Sequence, residues 1–267
     1  LLFTKGRIRG SNTVFNATYS KADETLPIIS IINRGSASAS EIISGTLQDL
    51  DRGLVIGETS FGKGSVQQHY DLDNETATRI TIAKYHTPSG RSIQRDYAND
   101  DVEYYDNLAV ENRELSDSLK QILPKFKTKN GRTVYGGGGI NPDIYFQDTL
   151  NLTDAAIDLI YNPKRYIFNY SETLKGDYEN MTYSELVEAG LKKIKFDEFI
   201  EWLKEKEFTE INEQELLENW DNIKVRIIAD IANKFLGRTN YYKILIMNDK
   251  TAQEALKYFN EAKTLLN

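Results

Sequence analysis

Apolar positions along the chain follow two periods, and the change between them falls near residue 150. Between Pro27 and about Ile93, short apolar runs alternate with turn signals, the texture of a unit that mixes strands and helices. Pro27-Ile28-Ile29-Ser30-Ile31-Ile32 is rich in β-branched residues and predicts a buried strand. Ile42, Ile43, Leu47 and Leu50 then recur at helical spacing, which predicts a helix from Ser38 to Arg52 with Gly53 placed to stop it. Leu54-Val55-Ile56 predicts a second buried strand, so the unit reads β-α-β with parallel pairing and a right-handed crossover.

Farther on, Ser65 to Leu72 and Ala77 to Tyr85 flank Asp73-Asn74-Glu75, and Ile80 and Ile82 alternate with Thr81 and Ala83, the pattern of a hairpin. Residues 96–131 are polar, charged and weakly periodic, and predict a long surface excursion with one short helix. Tyr135 to Asp143 holds a run of glycines and reads as a backbone-dominated turn before a strand at Ile144-Tyr145-Phe146. After about residue 150 the spacing turns helical. Phe196, Phe199, Ile200 and Leu203 share one face, and Leu216, Trp220, Ile223, Ile227 and Ile231 share another, with Gly237 as a stop. A last stripe of Ala252, Ala255, Leu256, Phe259 and Ala262 follows Asp249, a candidate cap. These stripes read as core. The expected organisation is an α/β unit over residues 1–150 and a helical C-terminal domain over 151–267.

The composition narrows the chemistry. With 267 residues, 40% apolar and 27% charged, the chain is long and apolar enough to bury its own core. Its net charge of −7 argues against binding to nucleic-acid backbones, which calls for a basic patch. With no cysteine there is no disulfide, thiolate nucleophile or cysteine-ligated zinc, and two histidines are too few for a His-rich metal cluster. No metal or cofactor is expected. The chain opens mid-pattern at Leu1-Leu2-Phe3-Thr4-Lys5, which suggests the C-terminal part of something longer.

Two loops carry the candidate chemistry. Asn33-Arg34-Gly35-Ser36-Ala37-Ser38-Ala39-Ser40-Glu41 joins the first strand to the helix. Small residues there let a hydroxyl stand at the strand-to-helix corner, where free N–H groups face a developing negative charge. The same Ser38-x-x-Glu41 pattern also fits a capping box, in which the serine only satisfies the helix end. The second loop, Gly57 to Gln68, follows the neighbouring strand, and parallel strands bring both loops to one sheet edge. Lys63, with glycine on each side, can then face Ser38 and take its proton if burial or neighbours leave the amine neutral. Gly57 to Lys63 also reads G-x-x-x-x-G-K, most of a P-loop. Gly64 stands where that motif needs the magnesium-holding Ser or Thr, and a strand rather than a helix is expected next, so no nucleotide is expected.

Four phrases in order resemble the C-terminal processing peptidases, or tail-specific proteases, serine peptidases with a Ser/Lys dyad. They are Gly35 to Ile42, Val55 to Thr59, Phe61 to Gln67 and Thr87 to Gln94; the glycine-rich Gly137 to Asp143 extends the likeness, and the helical tail looks similar to that of Bacteroidetes-type members. The resemblance implies Ser38 as nucleophile, Lys63 as general base, Gln67 as the residue that orients the lysine, and the backbone amide of Ala39 as one half of the oxyanion hole. Ser36 and Ser40 are then structural neighbours. It implies a Clp-protease/crotonase-like core, protein or peptide substrates cleaved through an acyl-enzyme, a possible homo-oligomer, and a periplasmic or otherwise extracytoplasmic location. Members also carry an upstream PDZ domain and a D-L-R-x-N-x-G-G-type segment whose glycine completes the oxyanion hole; neither lies in these 267 residues. The rival reading is a non-catalytic peptide-binding or scaffold protein that keeps the fold.

Overall fold

In the computed structural model, residues 2–18, 23–73, 75–95, 114–147, 152–208 and 211–266 are described, so residues 96–113 of the expected surface excursion lie outside the described residues. The chain divides into two units, one formed by Leu1–Asp148 with Glu254–Asn267 and the other by Thr149–Gln253.

In the first unit the β-α-β order and its parallel pairing are present as read, but the first strand is less buried than expected, with Ile32 buried and Ile31 45% exposed. Strand β3 (Ile29–Ile32) leads into helix α1 (Ala39–Asp49) and strand β4 (Leu54–Gly57), with β3 and β4 parallel and Ile31 opposite Ile56. Strand β9 (Ile144–Tyr145) joins the other side of β4, also parallel. Side chains of a strand alternate between faces. Val55 and Ile32 accordingly meet Ile93 and Ile140 on one side, while Leu54 and Ile56 meet Ala255 and Ala262 on the other. The last segment of the chain thus closes the second face of this sheet, which is why residues 254–267 group here and not with the helices expected over 151–267. Asp249 caps the helix Lys250–Ala255, its Oδ1 accepting the Ala252 N–H at 2.9 Å, whereas Leu256 and Phe259 of the expected stripe face solvent.

A second sheet runs β2-β1-β6-β5, with β1 at Leu2–Gly6, β2 at Val14–Phe15, β5 at Ser65–Asp71 and β6 at Ala77–His86. The expected hairpin is β5–β6; β1 and β2 were not legible, since only Thr4 of β1 is buried and no alternation marks it. Among its described residues the excursion contains a short helix, α2 (Asp117–Ile122), and β7 (Lys125–Lys127), which pairs with β8 (Thr133–Tyr135) just beyond it in a hairpin that the pattern did not show.

Helix α1 follows its apolar spacing only in part: Ile42 packs against the core of Ile32, Val55, Ile93 and Ile140, and Leu47 is half-buried. The buried positions of the helix are Glu41, Ser44, Gly45, Thr46, Gln48 and Asp49, while Ile43 is 60% and Leu50 36% exposed. The inner face is polar because two arginines meet it. Arg91, fully buried, pairs with fully buried Asp49 at 2.8 Å and donates to Gln48 Oε1 at 2.6 Å. Arg132 pairs with Asp51 and Asp143, each at 2.6 Å. Burial of charge is tolerated only with such partners. The helix also ends before Gly53. Asp51 takes the left-handed conformation (φ 51°), and the Arg52 N–H reaches the Leu47 carbonyl at 2.9 Å, a Schellman ending. Asp51 can serve in place of glycine because its carboxylate is held by Arg132 and by the Asn130 N–H.

The second unit is helical. Phe199, Ile200 and Leu203 of Phe196–Glu205 pack with Leu216, Ile223, Ile227 and Ile231 in one core. The expected long stripe is split at Asn219 into Glu213–Glu218 and Trp220–Leu236; the Asn219 side chain is turned to accept the Thr153 N–H and hydroxyl, at 2.9 and 2.7 Å. Gly237 (φ 85°) ends the helix as read. Among the described residues no helix is long and apolar enough to cross a membrane.

Candidate active site

Ser38 stands at the N-cap of α1 with φ 57° and ψ −112°, a conformation that L-residues with a Cβ avoid. Such strain costs roughly 1–3 kcal/mol and persists where surroundings impose it, as at the nucleophile turns between strand and helix. Here the imposing group is Glu41. Its carboxylate, fully buried, accepts the Ser38 N–H at 2.9 Å in the capping-box arrangement. The same carboxylate accepts the Ser60 hydroxyl at 2.5 Å, the Gly62 N–H at 2.6 Å and the Lys63 N–H at 2.9 Å. One side chain therefore fixes the serine corner and the lysine loop in a common frame.

Further backbone bonds tighten that frame. The Phe61 N–H donates to the Ser36 carbonyl at 2.9 Å, and the Glu58 N–H to the Ile32 carbonyl at 3.0 Å. Ser60 Oγ, besides donating to Glu41, accepts the Ile140 N–H at 2.7 Å and so ties the glycine-rich turn to the same point. Gln94 Oε1 accepts the Gly64 N–H at 3.0 Å, and the Arg95 N–H reaches the Gly62 carbonyl at 2.9 Å. Two glycines are required: at Gly57 (φ 121°) a Cβ would come within 2.0 Å of the Ile32 carbonyl oxygen, and at Gly62 (φ 93°) within 2.9 Å of the Arg95 Cβ.

Of the residues expected at the site, Ser38 is partly buried at the corner, and Ala39 opens α1 with its N–H given to no acceptor among the described residues. Lys63, on the second loop, has its backbone fixed and its side chain exposed; no carboxylate pairs with its ammonium among the described residues. Ser38 and Lys63 side chains make no hydrogen bond to each other. Gln67 is exposed on β5 opposite Thr81, at a shift in the β5–β6 register, and makes no hydrogen bond to Lys63. Burial of Lys63, the condition expected to favour its neutral form, is thus not supplied by the described residues. As expected, Ser65 opens a strand, so the G-x-x-x-x-G-K loop does not lead into a helix. Ser36 is structural: its Oγ accepts the Asn33 N–H at 3.0 Å.

Sequence reasoning missed Glu41 and Ser60 as organisers. Glu41 was visible only as the fourth residue of a capping box, because three of its four donors come from a loop about twenty residues later.

Residues 1–104 match peptidase family S41. Among curated proteins, the "Carboxy-terminal-processing protease" of Bartonella bacilliformis is 49% identical over 94 residues, which is 35% of this chain and 22% of that protein. The chloroplastic "C-terminal processing peptidase" of Tetradesmus obliquus is 38% identical over 95 residues, 36% of this chain and 20% of that one. A solved photosystem II D1 C-terminal processing protease aligns with 45% of this chain and 20% of its own at 28% identity, with a TM-score of 0.28. The chain spans about one fifth of the length of the curated relatives it matches. The loops that carry Ser38 and Lys63 both lie inside residues 1–104, the stretch that matches peptidase family S41.

Proposed function

We propose that this chain is the catalytic part of a serine peptidase that cleaves unstructured or C-terminal regions of proteins, built on a Clp-protease/crotonase-like core. The observation that carries the reading is the Glu41 carboxylate, which holds the amides of Ser38 and Lys63 on one oxygen at 2.9 Å each. The match of residues 1–104 to peptidase family S41, and similar proteins named for carboxyl-terminal processing, support it.

In this mechanism neutral Lys63 takes the proton from Ser38 Oγ as that oxygen attacks the peptide carbonyl. The tetrahedral oxyanion is met by the Ala39 N–H at the start of α1, where the helix dipole favours negative charge. Lys63 then gives its proton to the leaving amine, leaving an acyl-Ser38 ester, and water activated by the same lysine releases the acid and restores the serine. Gln67 orients the lysine from β5. The peptide lies extended along the sheet, held by main-chain hydrogen bonds.

The exposure of Lys63 also favours a second reading, a peptide-binding protein without turnover. Cleavage of an unstructured peptide separates them. Turnover abolished equally by Ser38→Ala and Lys63→Ala is the expected result; turnover that survives Lys63→Ala overturns the dyad.

A further inference from the structure

The helical unit holds a pocket of about 350 Å³ with an unusual charge balance, lined by Lys164, Tyr166, Asn169, Thr173, Trp202 and Lys206. Its floor is aromatic and held in place. Tyr166 is buried, and the Trp202 ring meets Tyr166 edge-on at 6.4 Å and Tyr170 at 5.2 Å, and stacks on Phe199 at 6.4 Å. Two ammonium groups stand above this floor: Lys164 Nζ lies 6.0 Å from the centre of the Tyr166 ring, and Lys206 Nζ 6.0 Å from that of Trp202. No carboxylate lines the pocket, and neither ammonium is ion-paired among the described residues, although the chain carries 40 acidic side chains against 33 basic ones.

A site with an apolar floor and two cations at its rim selects an occupant that is apolar at one end and anionic at the other. Its volume lies near the lower end of the roughly 300–1,000 Å³ usual for small-ligand sites, which suits a single terminal residue and not a folded segment. We propose that this pocket binds the last residue of a peptide, its free α-carboxylate between Lys164 and Lys206 and its apolar side chain on the Trp202 and Tyr166 rings. The choice of a peptide end rests on the peptidase reading above; the charge and shape of the occupant do not. The helical unit then acts as a recognition module, adding selection for a free C-terminus that the serine corner does not itself provide.

The test separates binding from cleavage. Full chain carrying Ser38→Ala is titrated by calorimetry with a short unstructured peptide ending in leucine, once as the free acid and once as the C-terminal amide. The acid is expected to bind, the amide at least about tenfold more weakly, and Lys164→Ala with Lys206→Ala to bring the acid down to the level of the amide, because each exposed ion pair is weak alone. Both lysines are exposed, so the double variant is expected to keep the parent's circular dichroism and melting temperature. Equal binding of acid and amide, unchanged binding in the double variant, or no binding of either peptide overturns the pocket. Cleavage by the unaltered chain without such binding sinks this inference and leaves the peptidase reading standing; binding without cleavage does the reverse.

Discussion

The backbone amides of Ser38 and Lys63, 25 positions apart in sequence, donate to the same oxygen, Glu41 Oε2, at 2.9 Å each. The other oxygen takes the Ser60 hydroxyl and the Gly62 amide. A buried carboxylate that satisfies four donors is both a structural pin and a ruler, since any movement of one loop must break a bond to the other.

Glu41→Gln keeps the shape and replaces one acceptor oxygen by a donor NH₂ facing N–H groups. Leaving buried donors unsatisfied costs about 1–3 kcal/mol, more for a charged acceptor. We expect a loss of stability of that size in urea unfolding, and a fall in peptide turnover larger than the stability loss accounts for at temperatures where the variant is folded. A variant that unfolds early but turns over normally when folded would show that Glu41 braces the fold without positioning the dyad.

Asp49 and Arg91 form a fully buried ion pair on the inner face of α1. Removing one partner strands a buried charge, so Arg91→Met alone should cost about 3–5 kcal/mol, whereas Asp49→Leu with Arg91→Met should cost much less. The double-mutant cycle in guanidinium reads this coupling directly; simple additivity would contradict it.

Burial pushes the Asp230 carboxyl up to about 6, against the opposing pull of Arg165 and Arg226. A carboxyl raised on folding favours the folded state fully below its unfolded value and loses that stability as pH climbs through the folded one. The window therefore runs from about pH 4 to about 6. Asp230→Asn should match the parent at the acid end and exceed it by about 1 kcal/mol at neutral pH, after allowance for the solvent that this half-buried site retains. Melting curves of both proteins across that range check it, and a difference that does not change with pH would remove the assignment.

Truncation after Gln253 removes Ala255, Tyr258, Ala262 and Leu265 from their packing against Leu54 and Ile56. Uncovering one large apolar side chain costs about 1.5–3 kcal/mol, so the truncated chain should bind a hydrophobic dye and melt several degrees lower. Unaltered melting would mean that the terminal segment contributes nothing to the sheet.

What the amino-acid sequence determined by itself was local and periodic. The β-branched run at Ile28 to Ile32, the buried Val55-Ile56, the alternation at Ile80 and Ile82, the Asp249 cap and the Gly237 stop each state their structure through neighbours a few positions away, and each is present. The two loops of the candidate site were legible for the same reason: a strand, a small-residue corner and a glycine-flanked lysine are contiguous signals. Tertiary structure decided the rest. How much of α1 is buried depended on Arg91 and Arg132, which lie 42 and 83 positions beyond Asp49 and hold the helix's polar positions inward beside Ile42, while Ile43 and Leu50 stay exposed. The end of that helix moved from Gly53 to Asp51 because Arg132 stabilises the left-handed aspartate. Strand β1 needed β6 as a template, and the last helices needed the underside of β4 to bury them. Glu41 became the centre of the site only when the chain folded back, since a carboxylate's partners are set by distance in space and no sequence period records that distance.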